Sequence, residues 1–345
     1  MQDEHEACHD SEDKERFVQV SIEKGLDIRR IEISSIRLMS TLLFIVVLMI
    51  IVVIRNVHFL DSNNIRDVLM DTAILGIAAI AQLLVMLTGN IDVSSSSIMA
   101  VAGFSAALLM KNVHNVNPVA SLLLGILLGI CMGAFNGTLV AYGRVPSIIV
   151  TLGTLSIFRG INFIISGGGW VVSRDLPDSF RMLANGRLFT IPYLLIAFII
   201  VALCAFFGLK YLRKGRFLYA IGSHLENAQI MGIKTSRIVF VVFALSGLLF
   251  GLCGVLWVSR FNFAQSNTAS GYELTVIAAC VIGGTGVNGG RGSVEGAILG
   301  AFLLSFLINA MNVANISPFW KMAIQGLIIL LAVIFDSYLV NKRKR

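Results

Sequence analysis

Four stretches of this 345-residue chain carry side chains whose types and spacing suggest chemistry. His5-Glu6-Ala7-Cys8-His9 satisfies H-E-x-x-H, a spacing that on a helix presents two imidazoles to zinc with the glutamate as base. That chemistry needs a rigid helix and a third ligand. The surrounding acidic segment offers neither, so the match is read as chance and no metal site is expected. Gly284 to Gly289 spells GTGVNG, a G-x-G-x-x-G, but a dinucleotide site also requires a βαβ unit and a carboxylate about 20 residues on. Here another apolar run follows, and the glycines read as a tight turn or a close backbone approach at the end of a broken helix.

The third stretch is TGNIDVSSSS, Thr88 to Ser97, which interrupts apolar sequence with Asn90, Asp92, Ser94 and three further serines. Polar groups at membrane depth mark functional paths by default, whereas an ordinary turn would use Asp92 to cap the next helix. Both readings fit the residues. The fourth is Arg159, alone in an apolar run, where a lone arginine costs at least about 2.5 kcal/mol to insert. It should pair with a carboxylate, Asp71 being one candidate, or hydrogen-bond a polyhydroxyl solute in a wet interior.

The elements that must position these groups follow from composition. The chain is 56% hydrophobic and only 14% charged, with a mean hydropathy of +0.83, against about 25% charged residues in soluble domains. This excludes a soluble enzyme and points to lipid, not nucleic acid, as the environment. Runs long enough to cross a bilayer as helices occur at Leu38–Ile54, Val68–Thr88, Val119–Tyr142, Ile148–Ser166, Pro192–Leu209, Ile238–Val258, Val294–Met311 and Phe319–Leu339. Ile98–Met110 and Leu274–Val287 are too short for a plain span and read as broken ones. The fold class expected is therefore all-α and polytopic, with about ten transmembrane helices. The first apolar run starts only near Leu38 and reads as a retained span, not a cleaved signal. Five scattered cysteines form neither a disulfide framework nor a metal pair.

Charge placement orients the bundle. The formal charge of +7 conceals an acidic tail over residues 1–35, with ten acids and five bases, ahead of a body carrying +12. With both termini cytoplasmic, 18 of the 27 Lys and Arg residues fall on the inner side, as cytoplasmic loops require. The expected organisation is a polar tail (1–35), a permease-like membrane region (36–340) and a basic cytoplasmic end (341–345). Two connections are long: a basic inner one, Lys210 to Arg237, containing the helix-compatible GSHLENAQIMGI, and an outer one, Gly167 to Ile191.

Four ordered strings, LTGNIDVSSSSIMA, NGTLVAYGRVPSIIVTLGTLSIFRGI, KGRFLYAIGSHLENAQIMGI and GYELTVIAACVIGGTGVNGGRGSVEGAILGA, make the chain resemble the ribose-type permeases of bacterial ABC importers for monosaccharides and the autoinducer-2 signal. Family members read closer to GIDLSVGS at the first string, so Ser95 and Ser96 stand here for a Val-Gly pair. The resemblance implies a bacterial inner-membrane permease subunit and not an enzyme. Its implied partners are a second permease subunit, two ATP-hydrolysing subunits that use ATP and magnesium, and an extracellular sugar-binding protein. No cofactor would be bound by this chain itself. It further implies a coupling helix at Ser223, His224, Leu225, Glu226, Asn227, Ala228, Gln229, Ile230, Met231 and Gly232; for such a permease the polar groups Asn90, Asp92, Ser94 and Arg159 are the hypothesised substrate path. Glu273, in the GYEL block, would contact the binding protein or cap a helix. A cation-coupled secondary transporter, which also uses broken helices, is the alternative. It would need carboxylates deep in the bundle, for which only Asp71, Asp92 and Glu295 qualify.

Overall fold

The computed structural model describes residues 57–113 and 115–314, with scattered positions between 46 and 54 and between 316 and 334. The H-E-x-x-H match, the acidic tail, the basic end and most of the two terminal apolar runs lie outside the described residues. The chain divides into two compact units, Met1–Val47 and Leu48–Arg345; only Val46 and Val47 of the first are described.

Among its described residues the second unit is built of eleven α-helices, in chain order α1 Ser62–Leu87, α2 Ser95–Asn112, α3 Pro118–Ala141, α4 Ser147–Ser166, α5 Asp178–Asn185, α6 Tyr193–Tyr211, α7 Arg213–Ser223, α8 Leu225–Ile230, α9 Thr235–Phe261, α10 Tyr272–Ile282 and α11 Val294–Val313. Among the described residues, α1, α3, α4, α6, α9 and α11 are long and apolar enough to cross a membrane. Their faces differ. From Val68 onward α1 is buried almost without interruption, so it is apolar all round and forms the centre of the bundle. In α6 only Leu194 and Leu209 are buried, leaving Ile199, Ile200, Leu203 and Phe207 turned outward, as a lipid-facing helix requires.

The tightest contact joins α3 and α9. Gly125, Gly129 and Gly133 recur every four residues on α3 and face Gly247 and Gly251 on α9. A Cβ on Gly129 would meet the Gly247 carbonyl oxygen, and one on Gly247 would meet the Gly129 carbonyl oxygen. Small residues at this spacing let two backbones touch where no hydrophobic effect drives helices together.

The structure differs from the sequence reading at the first of the two short segments. Ile98–Met110 belongs to α2, an unbroken helix of 18 residues that begins within the serine run and is buried at 13 positions. Its flanking Ser, Lys and Asn lower its apparent apolarity, but protein and not lipid surrounds most of it. The second short segment is a true interruption: α10 ends at Ile282, and Gly283 to Ser293 are non-helical before α11. The connection from 212 to 234 also holds more helix than expected, since α7 precedes α8. On the other side, β1 (Trp170–Val171) pairs antiparallel with β4 (Ala264–Gln265), fastening the loop after α4 to the loop after α9. A two-residue hairpin, β2 Arg187–Leu188 with β3 Ile191–Pro192, precedes α6.

Candidate functional site

The break between α1 and α2 is held from three sides. The Asp92 carboxylate is fully buried; its Oδ1 accepts from the Ser94 backbone N–H at 2.8 Å and from the Ser94 hydroxyl at 2.6 Å. From α3, Asn136 Nδ2 donates to Ser94 Oγ at 2.8 Å. From α1, the Gln82 amide, oriented to satisfy both groups, donates to the Asp92 carbonyl at 3.0 Å and accepts from its N–H at 3.2 Å. From α4, Ser147 Oγ accepts from Ile91 N–H at 3.1 Å, and Thr151 Oγ1 donates to the Ile91 carbonyl at 3.2 Å. Non-helical backbone inside a membrane bundle needs such partners.

Asp92 thus folds the turn that leads into α2, as a capping residue would. Its second oxygen does something else: Asp92 Oδ2, Ser95 Oγ and Asn136 Oδ1 are all buried without a hydrogen-bond partner. An unpaired buried polar atom costs about 1–3 kcal/mol, so three in one layer are a specific feature. These atoms leave unused hydrogen-bonding capacity inside the bundle beside the break. Asn90 is not part of this layer; its side chain turns back to Thr88, at 3.0 Å from Oγ1.

Arg159 meets different partners from the one anticipated. Its guanidinium donates to the Thr268 carbonyl at 2.8 Å, to the Ser266 carbonyl at 3.5 Å and to Ser96 Oγ at 3.3 Å. One turn along α4, Asn162 Nδ2 donates to Ser266 O at 2.8 Å. Arg159 therefore bridges the first turn of α2 and the loop between α9 and α10. Asp71 is instead held by Arg260 at 2.8 Å, with Asp67 3.6 Å from the same nitrogen. The suggested Arg159–Asp71 pair is not formed, because Asp71 lies at the start of α1 beside the end of α9. Glu273 sits in the first turn of α10, where Gly271 occupies the cap position without a side-chain bond and Glu273 Oε2 stays unpartnered.

At the Asp92 end of the bundle three glycine-bearing turns interlock. Gly290 N–H donates to the Leu87 carbonyl at 3.1 Å. A Cβ on Gly222, next to the end of α7, would strike the Leu87 carbonyl oxygen and the Gly290 nitrogen. Gly289, at φ +86°, packs on the backbones of Gly89 and Gly222. The GTGVNG run is thus the tight turn and close approach that its glycines suggested. Tyr219 of α7 adds a bond from its hydroxyl to the Gly292 carbonyl at 3.1 Å; burial and the nearby Glu295 charge raise its pKa above the usual tyrosine value.

Beyond Gly222 the chain runs into the segment Ser223 to Gly232. His224 precedes α8, and only Ala228 of the segment is buried. Glu226, Asn227 and Gln229 are exposed. Leu225, Ile230 and Met231 stand out as well, Ile230 at 84% exposure, an apolar tip of the sort that fills a groove on another protein. Gly232, at φ +76°, closes the helix.

Sequence reasoning missed Asn136, Gln82, Asn162 and Arg260. Three of these are single polar residues inside apolar runs, a legible sign that an intramembrane side chain has a partner; what the sequence does not show is which helices meet.

The ribose import permease RbsC of Escherichia coli strain K12 is 34% identical over 300 residues, covering 86% of this chain and 93% of that protein. RbsC of Bacillus subtilis is 34% identical over 290 residues, covering 84% and 89%. The autoinducer 2 import system permease LsrC of E. coli strain HS is 34% identical over 309 residues, 89% of each. No solved structure matches. The family described as the branched-chain amino acid transport system, permease component, matches residues 64–333. A bundle of apolar helices around a broken, polar-lined core, matched over most of its length by import permeases, belongs to that permease family.

Proposed function

We propose that this chain is the membrane-spanning permease subunit of a bacterial ABC importer that carries a monosaccharide or related small polyhydroxyl solute across the inner membrane. The observation that carries the reading is the junction of Gly222, Gly290 and Leu87, which joins the exposed segment Ser223 to Gly232 directly to the break that holds Asp92. The family description names branched-chain amino acids, but the relatives' names are ribose and autoinducer 2. Hydroxyl-rich solutes also fit unpaired acceptors better than an apolar side chain does.

Ten spans with both ends cytoplasmic place α8 inside, where an ATPase subunit can receive its apolar tip. In this mechanism two ATPase subunits bind ATP with magnesium and close, pressing on α8 of this chain and of a second permease subunit. Since α8 follows α7 without slack, the push reaches Leu87 and the Asp92 turn. The solute arrives from an extracellular binding protein, with Glu273 and the loop that Arg159 holds near the point of transfer. It then passes a layer in which Asp92, Ser94 and Arg159 present polar groups, with Asn90 at its inner margin. The permease need not bind the solute tightly, because a ligand held equally in two states shifts neither.

Reconstitution tests this. In proteoliposomes with the ATPase subunits and the binding protein, uptake of a neutral sugar should require ATP and ignore sodium and proton gradients. Uptake that persists without the ATPase subunits and follows an ion gradient overturns the reading in favour of a secondary transporter.

A further inference from the structure

A polar cleft lies at the other end of α1 from the Asp92 break. It is an open cleft of about 540 Å³ between the first turns of α1, the last turns of α9 and α11, and the end of α5. That is within the roughly 300–1,000 Å³ of small-molecule pockets. About 17 residues of α1 separate it from the Asp92 break, a distance of about 25 Å along the helix.

Its chemistry is specific. Asn64, Asn185 and Asn309 line it with amides; Asn64 Nδ2 donates to the Phe59 carbonyl at 2.9 Å and Asn185 Nδ2 to the Ser259 carbonyl at 3.0 Å, while Asn309 has no such commitment through its oxygen. Two acids, Asp67 and Asp71, are balanced by two bases, Arg66 and Arg260, in the same wall. Arg260 is committed to both acids and also donates to the Asp67 carbonyl at 3.2 Å. The lining is therefore formally neutral, which disfavours a phosphate or a metal cation. Phe261 contributes an exposed aromatic ring. Two buried groups are left without partners: Arg260 Nε, on a side chain only 8% exposed, and Asn309 Oδ1, on a residue 7% exposed. One is a donor and the other an acceptor, and both side chains line the cavity. Neither is accounted for by packing, since burial without a partner is costly.

We propose that this cavity binds a neutral polyhydroxylated solute, so that the permease itself carries a recognition site apart from the Asp92 layer. Hydroxyls donate and accept at once, so they match a mixture of amides with one orphaned donor and one orphaned acceptor. The C–H face of a sugar ring matches the Phe261 ring. The inference rests on the importer reading for the cavity's outward placement and extends it, because it gives the permease its own selectivity for the solute.

The test uses the full-length chain in lipid nanodiscs without partner proteins, probed with D-ribose, D-glucose and myo-inositol by saturation-transfer NMR. At least one probe should receive saturation. Its apparent affinity should fall by about tenfold in Asn309→Leu and in Phe261→Ala, the loss expected for removing one well-placed contact, and stay unchanged in Gly208→Ala. Asn309→Leu is near-isosteric and Phe261 is exposed, so both variants should fold; the thermal transition of each without ligand checks this. Asn309→Leu should be at least as stable as the parent, because it removes an orphaned group. The proposal is overturned if no probe gives transfer that depends on Asn309 and Phe261, or if sodium sulfate displaces the probe. ATP-driven uptake is measured in parallel with the partner subunits. Uptake without binding by the isolated chain refutes this inference alone, whereas absence of ATP-driven uptake for every sugar refutes the importer reading.

Discussion

Gly222→Ala and Gly208→Ala are the same substitution in two helices, and the surroundings dictate opposite outcomes. In the middle of a helix alanine gains up to about 1 kcal/mol over glycine. At Gly208 in α6 an added Cβ meets nothing within 4 Å, so the gain should be realised and the thermal midpoint of the purified permease should rise. At Gly222 in α7 the Cβ would strike the Leu87 carbonyl oxygen and the Gly290 nitrogen, with the Leu87 carbonyl carbon at 3.0 Å. These are backbone atoms of two other turns, and no rotamer change moves them. Overpacking of this kind costs about 1–3 kcal/mol, which exceeds the propensity gain, so Gly222→Ala should lower the midpoint. The effect on transport should be larger than the effect on stability, because the displaced atoms are those that pass motion from α8 to the Asp92 turn in the proposed mechanism. With ATPase subunits and binding protein in proteoliposomes, Gly222→Ala should retain ATP hydrolysis but deliver less solute per ATP, while Gly208→Ala transports normally. If both variants shift the midpoint the same way, or if Gly222→Ala keeps its ratio of transport to hydrolysis, the junction is not the coupling element.

A double-mutant cycle on Arg260→Met and Asp71→Asn should show a coupling of about 1 kcal/mol, read from thermal or denaturant unfolding. The equivalent cycle on Arg159→Met and Asp71→Asn should show none, since the structure gives these two no contact. Arg159→Lys should restore little of what Arg159→Leu loses in uptake, because a lysine ammonium cannot bridge the Thr268 carbonyl and Ser96 with a planar fork; full rescue by Lys would argue against the bridge. Asn136→Leu leaves Ser94 without its α3 partner and should destabilise the fold by about 1–3 kcal/mol, measured by thermal unfolding with membrane level as a second readout. Lys111 donates to Asp175 at 3.0 Å, and with the Val172 N–H it holds that carboxyl below the ordinary aspartate range. A depressed folded value means the stabilisation is complete above the unfolded pKa of about 3.9 and is lost as pH falls through the lower folded value. Protection factors of amides in residues 170–175, corrected for the intrinsic fall of exchange with pH, should therefore hold at pH 5 and drop only in stronger acid, and Lys111→Met should shrink that drop, leaving the part due to the Val172 N–H.

The spans were legible because lipid imposes one rule, long apolar runs, and α1, α3, α4, α6, α9 and α11 obey it. The length of α2 was not, because its surroundings are protein. A helix buried on nearly all sides can begin in serines, and hydropathy cannot distinguish Ser95–Ser97 as first turn from the same residues as loop. The turn at Gly283 to Ser293 was legible from its glycines, since positive φ at Gly284, Gly289 and Gly290 is a backbone demand that only glycine meets cheaply. The partner of Arg159 was not. A lone arginine in an apolar run announces that a partner exists, and a carboxylate is the obvious choice. The structure answers instead with two loop carbonyls and a serine hydroxyl, groups present at almost every position and so invisible as signals.

Five buried polar atoms without partners lie in two groups toward the two ends of α1. A folded core normally satisfies its buried donors and acceptors, because each failure costs a sizeable fraction of a marginal stability. Here Asp92 Oδ2, Ser95 Oγ and Asn136 Oδ1 fail together at one end of α1, and Arg260 Nε and Asn309 Oδ1 fail together at the other. The packed helices between, with α3 and α9 in backbone contact at Gly129 and Gly247, have few ways to deform. Motion must then concentrate in the non-helical connections 88–94, 262–271 and 283–293, which are the segments that Asp92, Arg159 and Gly290 tie down. If the polar groups at both ends were satisfied internally, the tie points would be a plug, and a solute would have to break protein bonds to pass. Left unsatisfied, they would, in the proposed mechanism, exchange water for solute hydroxyls at little net cost, which suits a permease whose direction comes from ATP.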